Sequence, residues 1–181
     1  TNTATYSLIS NQVAGDALTI QASSGVFDSK NAIGTQNVTI GGITVTGADV
    51  GNYTLQNTST TTTAKVLPKG LTATVSAQNK VYDGSTSATA TLSNISGLVG
   101  AETVTVSGNT ASFNTADVAT ANTVTVNSIQ LGNGTNGGLA SNYTIAAGQS
   151  ATAHITPASL TATATASNKT YDGTTAATAA L

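Results

Sequence analysis

Threonine and apolar residues alternate along much of this chain. Leu71-Thr72-Ala73-Thr74-Val75, Glu102-Thr103-Val104-Thr105-Val106 and Asn122-Thr123-Val124-Thr125-Val126-Asn127 each repeat with a period of two. That spacing places one set of side chains on a core and the other in solvent along a β-strand, and β-branched residues suit such a half-buried pleat. Asp83-Gly84, Gly108-Asn109 and Gly132-Asn133-Gly134 read as turns between strands. Ile95 to Val99 and Asp117 to Ala121 come nearest to a helix, and their composition limits each to a turn. The pattern predicts an all-β fold.

The alternation is organised by a long internal repeat. Asn79-Lys80-Val81-Tyr82-Asp83-Gly84 returns 89 residues later as Asn168-Lys169-Thr170-Tyr171-Asp172-Gly173, and Pro68 to Leu92 aligns without a gap on Pro157 to Leu181. Upstream, Thr3-Ala4-Thr5 matches Thr89-Ala90-Thr91, Asp16 matches Glu102 and Phe27 matches Phe113, all at an offset of 86. A four-residue insertion within Gly132 to Gly138 then brings Asn52-Tyr53-Thr54-Leu55 onto Asn142-Tyr143-Thr144-Ile145. A period of this length signals tandem modules. Seven or so short strands in ~90 residues fit an Ig-like β-sandwich, so the expected architecture is a row of such modules stacked as an elongated rod. Residues 1–67 read as an incomplete repeat lacking its N-terminal strands, 68–156 as a complete one, and 157–181 as the N-terminal strands of a third. The two ends are complementary, as in a longer array cut at both sides or in a unit that donates a strand to its neighbour.

Composition narrows the function. Among 181 residues there are five Lys, no Arg and seven acids, for a net charge of −2. Such a surface offers nothing to a phosphate backbone, so no nucleic-acid partner is expected. The chain has no Cys, which excludes disulfides and thiolate metal sites. No apolar run approaches the roughly 20 residues of a membrane span, so no membrane insertion is expected. No Ser, His and acid constellation recurs and no Gly-rich loop opens a helix, so no enzyme, catalytic residue, cofactor or metal is expected.

The recurring residues have structural readings. Tyr82-Asp83-Gly84 and Tyr171-Asp172-Gly173 suit a turn in which Asp accepts backbone N–H groups, Gly takes a positive φ and Tyr covers the sandwich end. Asp49-Val50-Gly51-Asn52-Tyr53 has the form of a tyrosine corner, whose hydroxyl bonds back to backbone. Its counterpart Tyr143 lacks the Asp and the Gly. Pro68 and Pro157 restrict the joints between units. Asn79-Lys80 and Asn168-Lys169 suggest isopeptide chemistry only beside a buried acid, and His154 reads as a solvent-facing strand residue. Thr-x-Thr pairs, such as Thr72 with Thr74 and Thr123 with Thr125, set hydroxyls on strand faces.

Asn-Lys-x-Tyr-Asp-Gly, then Asn-Tyr-Thr, then Ala-x-Ile-Thr-Pro resembles the YDG repeat of bacterial filamentous-haemagglutinin-like exoproteins of the two-partner secretion type. The resemblance covers essentially the whole chain. It implies a secreted or cell-surface adhesin or biofilm-matrix protein of a Gram-negative bacterium, exported through an outer-membrane partner, in which these repeats form a stalk without catalytic residues. Its expected partners are neighbouring repeats or copies of the same protein, and host or matrix glycans. Three other readings stand beside the stalk: a head-to-tail strand-donated filament, a glycan- or receptor-binding module using the loop Gly132 to Asn142, and a Thr-array ice-binding face.

Overall fold

The computed structural model describes residues 5, 8 and 10–180, so that Thr3, Ala4 and Leu181 of the repeat alignment lie outside it. Among the described residues the regular structure is β, apart from single 3₁₀ turns at Val50–Asn52 and Ala140–Asn142. The first half holds β1 (Thr19–Gln21), β2 (Ser24–Phe27), β3 (Gly34–Gly41), β4 (Thr44–Thr46) and β5 (Ser59–Val66). The second holds β6 (Lys69–Ala77), β7 (Lys80–Val81), β8 (Ser87–Ala88), β9 (Ala90–Ser96), β10 (Val104–Phe113), β11 (Thr123–Asn133), β12 (Tyr143–Ile145), β13 (Ser150–Thr152) and β14 (Ile155–Thr156). A last short pair, β15 (Thr165–Ala166) with β16 (Ala179–Ala180), follows.

In the second half, a sheet of order β13-β11-β10-β8 faces one of order β12-β6-β9, while β14 runs parallel to β7. Phe113, Val124 and Val126 from the first sheet pack with Ala90 and with the half-buried Val75 and Leu92 of the second. The first half pairs β2-β3-β5 and β1-β4 around Val38, Ile40 and Ile43. The registers of the halves coincide: Phe27 opposes Val38 as Phe113 opposes Val124, and Ile20 opposes Val45 as Val106 opposes Leu131.

The apolar phase of the long β10–β11 hairpin switches midway. On β10 the inward residues are Val104 and Val106, then Ala111 and Phe113; on β11 they are Val124 and Val126, then Ile129 and Leu131. A change from even to odd would turn half of each strand outward. Two bulges absorb it, because the register skips Ser107 on β10 and Asn127 on β11, and an extra residue restores the inward set. This corrects three sequence expectations. Gly108-Asn109 is no turn but part of β10, just after the bulge, and the strand expected from Glu102 begins at Val104. Gly132 and Asn133 likewise continue β11. Asp117 does close a single helical turn, its carbonyl accepting the Ala121 N–H at 2.8 Å, whereas Ile95 and Ser96 end β9.

Phe113 is almost wholly buried in the larger core. Phe113→Ala is expected to cost about 3–5 kcal/mol, read as a lower denaturant midpoint at unchanged slope; a midpoint equal to that of the parent chain would place Phe113 outside the core.

Candidate functional site: recurring locks, a joint and an open groove

Each half carries a tyrosine hydroxyl bound on both sides. In the first, Tyr53 donates to Asp16 Oδ2 at 2.6 Å and accepts the Val13 N–H at 2.9 Å. In the second, Tyr143 donates to Glu102 Oε2 at 2.7 Å and accepts the Val99 N–H at 3.1 Å. Asp16 and Glu102 are the acids aligned by the repeat, and Val13 and Val99 share their offset. Each tyrosine follows a 3₁₀ turn, and each lock ties the segment after that turn to a loop about forty residues upstream. The tyrosine-corner motif thus located Tyr53, but the hydroxyl engages a distant carboxylate as well as backbone.

The hydrogen bonds to Asp16 and to Glu102 raise the phenol pKa values of Tyr53 and Tyr143 above the ordinary value near 10. Each phenol must donate a proton to a carboxylate, so ionisation removes that bond and sets two negative charges together.

The missing Asp of the second copy is replaced in space. In the first half, Asp49 Oδ2 accepts the Ala17 N–H at 2.7 Å. Leu139 stands in its place in the second, and the counterpart N–H of Thr103 goes to the Thr135 carbonyl at 3.2 Å, inside the inserted Gly-rich loop. Thr135 N–H returns to Thr103 Oγ1 at 2.7 Å and Asn136 Nδ2 donates to the Ala101 carbonyl at 2.9 Å. Gly138 lies so close to the Thr103 carbonyl that a Cβ there would overlap it. The insertion braces the loop that carries Glu102.

The Tyr-Asp-Gly turns are also alike. Asp83 Oδ1 accepts from Lys80 Nζ at 2.7 Å and from the Ser85 N–H at 2.9 Å; Asp172 Oδ1 accepts from Lys169 Nζ at 2.8 Å and from the Thr174 N–H at 2.9 Å. Gly84 and Gly173 take the positive φ that the turn needs. The Lys80 ammonium, aided by Ser85, holds the Asp83 carboxyl down to about 2, and Lys169 lowers Asp172 in the same way. The acids answering Lys80 and Lys169 are therefore the exposed Asp83 and Asp172, while Asn79 is occupied through its Oδ1 by the His154 N–H at 2.7 Å. Tyr82 is half exposed and Tyr171 almost fully so; the expected cover by Tyr171 is not present. His154 lies between β13 and β14, its Nδ1 donating to the Ala121 carbonyl at 3.1 Å.

The halves meet through Asn142, the residue before Tyr143. Its Oδ1 accepts the Ala32 N–H at 2.8 Å and its Nδ2 donates to Asn31 Oδ1 at 3.0 Å. The buried Gln36 shapes the receiving loop, donating to the Asn31 carbonyl at 2.7 Å and accepting the Ser29 N–H at 2.9 Å. Glu102 Oε1 faces Lys30 at 3.8 Å, so the second lock and the joint share one carboxylate. Only Leu67 and Pro68 separate β5 from β6. Pro157 occupies the corresponding exposed place after β14.

The model of the YDG domain matches residues 1–63 and 67–153. The chain belongs to the YDG domain family. No curated protein and no solved structure matches it.

The two YDG units differ along one edge. In the second, Tyr143, Thr144 and Ile145 run parallel to Lys69, Gly70 and Leu71 of β6, and Leu71 is 5 % exposed. In the first, Tyr53, Thr54 and Leu55 belong to no strand among the described residues. Beside them lies an open groove of about 370 Å³, lined by Leu8, Leu18, Ile20, Ile43, Val45 and Leu55 among others. Val66 stays on Gly34, whereas its counterpart Ile155 is buried against β7.

Tyr143→Phe leaves the Glu102 carboxylate and the Val99 N–H without the hydroxyl and is expected to cost about 1–3 kcal/mol. Because the folded-state pKa values of both phenols are raised, their contribution is complete below pH 10 and is lost as pH rises through the folded values. The Tm of the parent chain should fall above pH 10, and Tyr53→Phe with Tyr143→Phe should start lower and fall less over that range. Parallel alkaline profiles in the two proteins would show that the locks do not contribute.

Proposed function

We propose that this chain is a structural repeat of a secreted bacterial surface or matrix protein, holding or linking a binding region at a distance. Each YDG unit is read as an Ig-like sandwich, and successive units as a semi-rigid rod. The observation that carries the reading is the joint: a two-residue connection closed by both polar ends of the Asn142 amide, its receiving loop fixed by a buried glutamine. A short link with directional contacts restricts bending, where a Gly- or Ser-rich linker would not. Membership of the YDG family and the haemagglutinin-like motif order support an extracellular setting with an outer-membrane export partner. Thr135 and Asn136 of the Gly-rich loop bind the residues on either side of Glu102, which favours a structural task there over sugar binding.

The absence of native cysteine allows spin labels at Thr61→Cys and Asn127→Cys alone. The expected result is a narrow distance distribution that broadens with Asn142→Ala. A broad distribution in the chain with native Asn142 would refute the semi-rigid spacer.

A further inference from the structure

We propose that Asn136-Gly137, in the inserted loop of the second YDG unit, is a site of spontaneous deamidation, and that the change releases the brace on the segment carrying Glu102. The site stands whether or not successive units form a rod.

The chemistry needs an accessible backbone nitrogen next to an asparagine amide. The nitrogen of the following residue attacks the side-chain amide carbon, ammonia leaves with the proton of that N–H, and a five-membered imide forms. Water then opens the imide at either carbonyl. The net reaction exchanges the amide for a carboxylate, as aspartate or as isoaspartate, and consumes one water for each ammonia released. A side chain on the following residue crowds the attack, so glycine permits it best. Only Asn133 and Asn136 precede a glycine in the sequence, and both stand in the insertion.

Their surroundings separate the two. The Gly134 N–H is bonded to the Gly138 carbonyl at 2.9 Å, and a Cβ on Gly134 would overlap the Thr103 carbonyl. Asn133 is itself held through its Oδ1, which accepts the Ala140 N–H at 2.8 Å. Asn136 and Gly137, by contrast, are both exposed. They are the central residues of a turn that the Gly138 N–H closes on the Thr135 carbonyl at 3.1 Å, with φ of 55° and 86°. The Gly137 N–H meets no acceptor among the described residues, and open space lies where a Cβ would be. Base from solvent reaches the nucleophile at Gly137 and not at Gly134.

The amide that is lost is one that holds the loop. Asn136 Nδ2 donates to the carbonyl of Ala101, the residue before Glu102, at 2.9 Å. A carboxylate cannot donate there, so two acceptors would face each other. Isoaspartate also adds a carbon to the backbone and lengthens the turn. The same turn carries the Thr135 carbonyl that accepts the Thr103 N–H, so its loosening frees the other flank of Glu102. The first unit has no such site, because its Asp49 carboxylate already takes the Ala17 N–H. Ageing therefore acts on the Tyr143 lock and spares the Tyr53 lock.

The test incubates the full chain in heavy-oxygen water, in mildly alkaline and in mildly acidic buffer, with peptide mapping by a fragmentation that separates isoaspartate from aspartate. The product is expected at position 136 with one heavy oxygen, faster in the alkaline buffer, and accumulating severalfold faster than any product at Asn133. In urea the two sites should convert at similar rates. Folded-chain conversion at Asn133 as fast as at Asn136, or an Asn136 that converts in urea and stays intact in the folded chain, overturns the site. The consequence is read on Asn136→Asp, which carries the product side chain from the start. Its Tm should fall, and exchange of the Thr103 amide should quicken while that of Ala17 is unchanged. A Tm and a Thr103 exchange rate equal to those of the parent chain would overturn the release of the brace.

Discussion

A row of apolar side chains on a sheet edge is stable only when a neighbouring strand supplies both ladder partners and cover, and in the second YDG unit that requirement falls on β6. It lies between β12 on one side and β9 on the other. Leu71 is buried beside Ile145, and Val75 and Ala77 meet the main core. From its end the chain turns directly into β7, which receives β14 in parallel. One continuous segment therefore joins the early and late strands of the unit. The first unit repeats the β10–β11 registers in its β1–β4 and β2–β3 pairs, and its Tyr53–Leu55 segment lines a groove.

The tyrosine locks serve the same edge. Tyr143 opens β12, so its hydroxyl bonds to Glu102 and Val99 fix the start of the strand that pairs with β6. Because Asn142 and Glu102 also reach the preceding unit, the lock couples the interior of one unit to its junction with the next. The ion pair with the exposed Lys30 adds little by itself; the two amide bonds of Asn142 give the joint its direction. Asp49 in one unit and the Thr135 carbonyl in the other are different solutions to one need, an acceptor for the N–H just after the acid of the lock.

Much of this was legible in the alternation of Thr with apolar residues, because a two-residue period is a local property and Leu71–Val75 and Thr123–Asn127 do lie in strands. The turns at Asp83-Gly84 and Asp172-Gly173 were legible for the same reason. The bulges were missed because Gly108-Asn109 carries a turn signature, although the even-to-odd switch between Val106 and Ala111 was present to be read. The partner of Tyr53 lies 37 residues away, a separation that no local motif encodes. The repeat did carry a clue, since an acid stands at both Asp16 and Glu102. Asn142 gave no sign of its role, because its contacts belong to another unit, and the groove is visible only once the strands around it are placed.

Native-state hydrogen exchange, compared at Tyr53–Leu55 and Tyr143–Ile145 under dilution, tests most directly whether β6 completes the unit. Amides in a covered strand exchange only through larger openings, whereas those on an open edge exchange readily. Strong protection is expected across Tyr143–Ile145 and rapid exchange across Tyr53–Leu55. Equal protection of the two segments in the dilute chain would contradict it, because the edge would then be stable without the strand on which the fold is argued to depend.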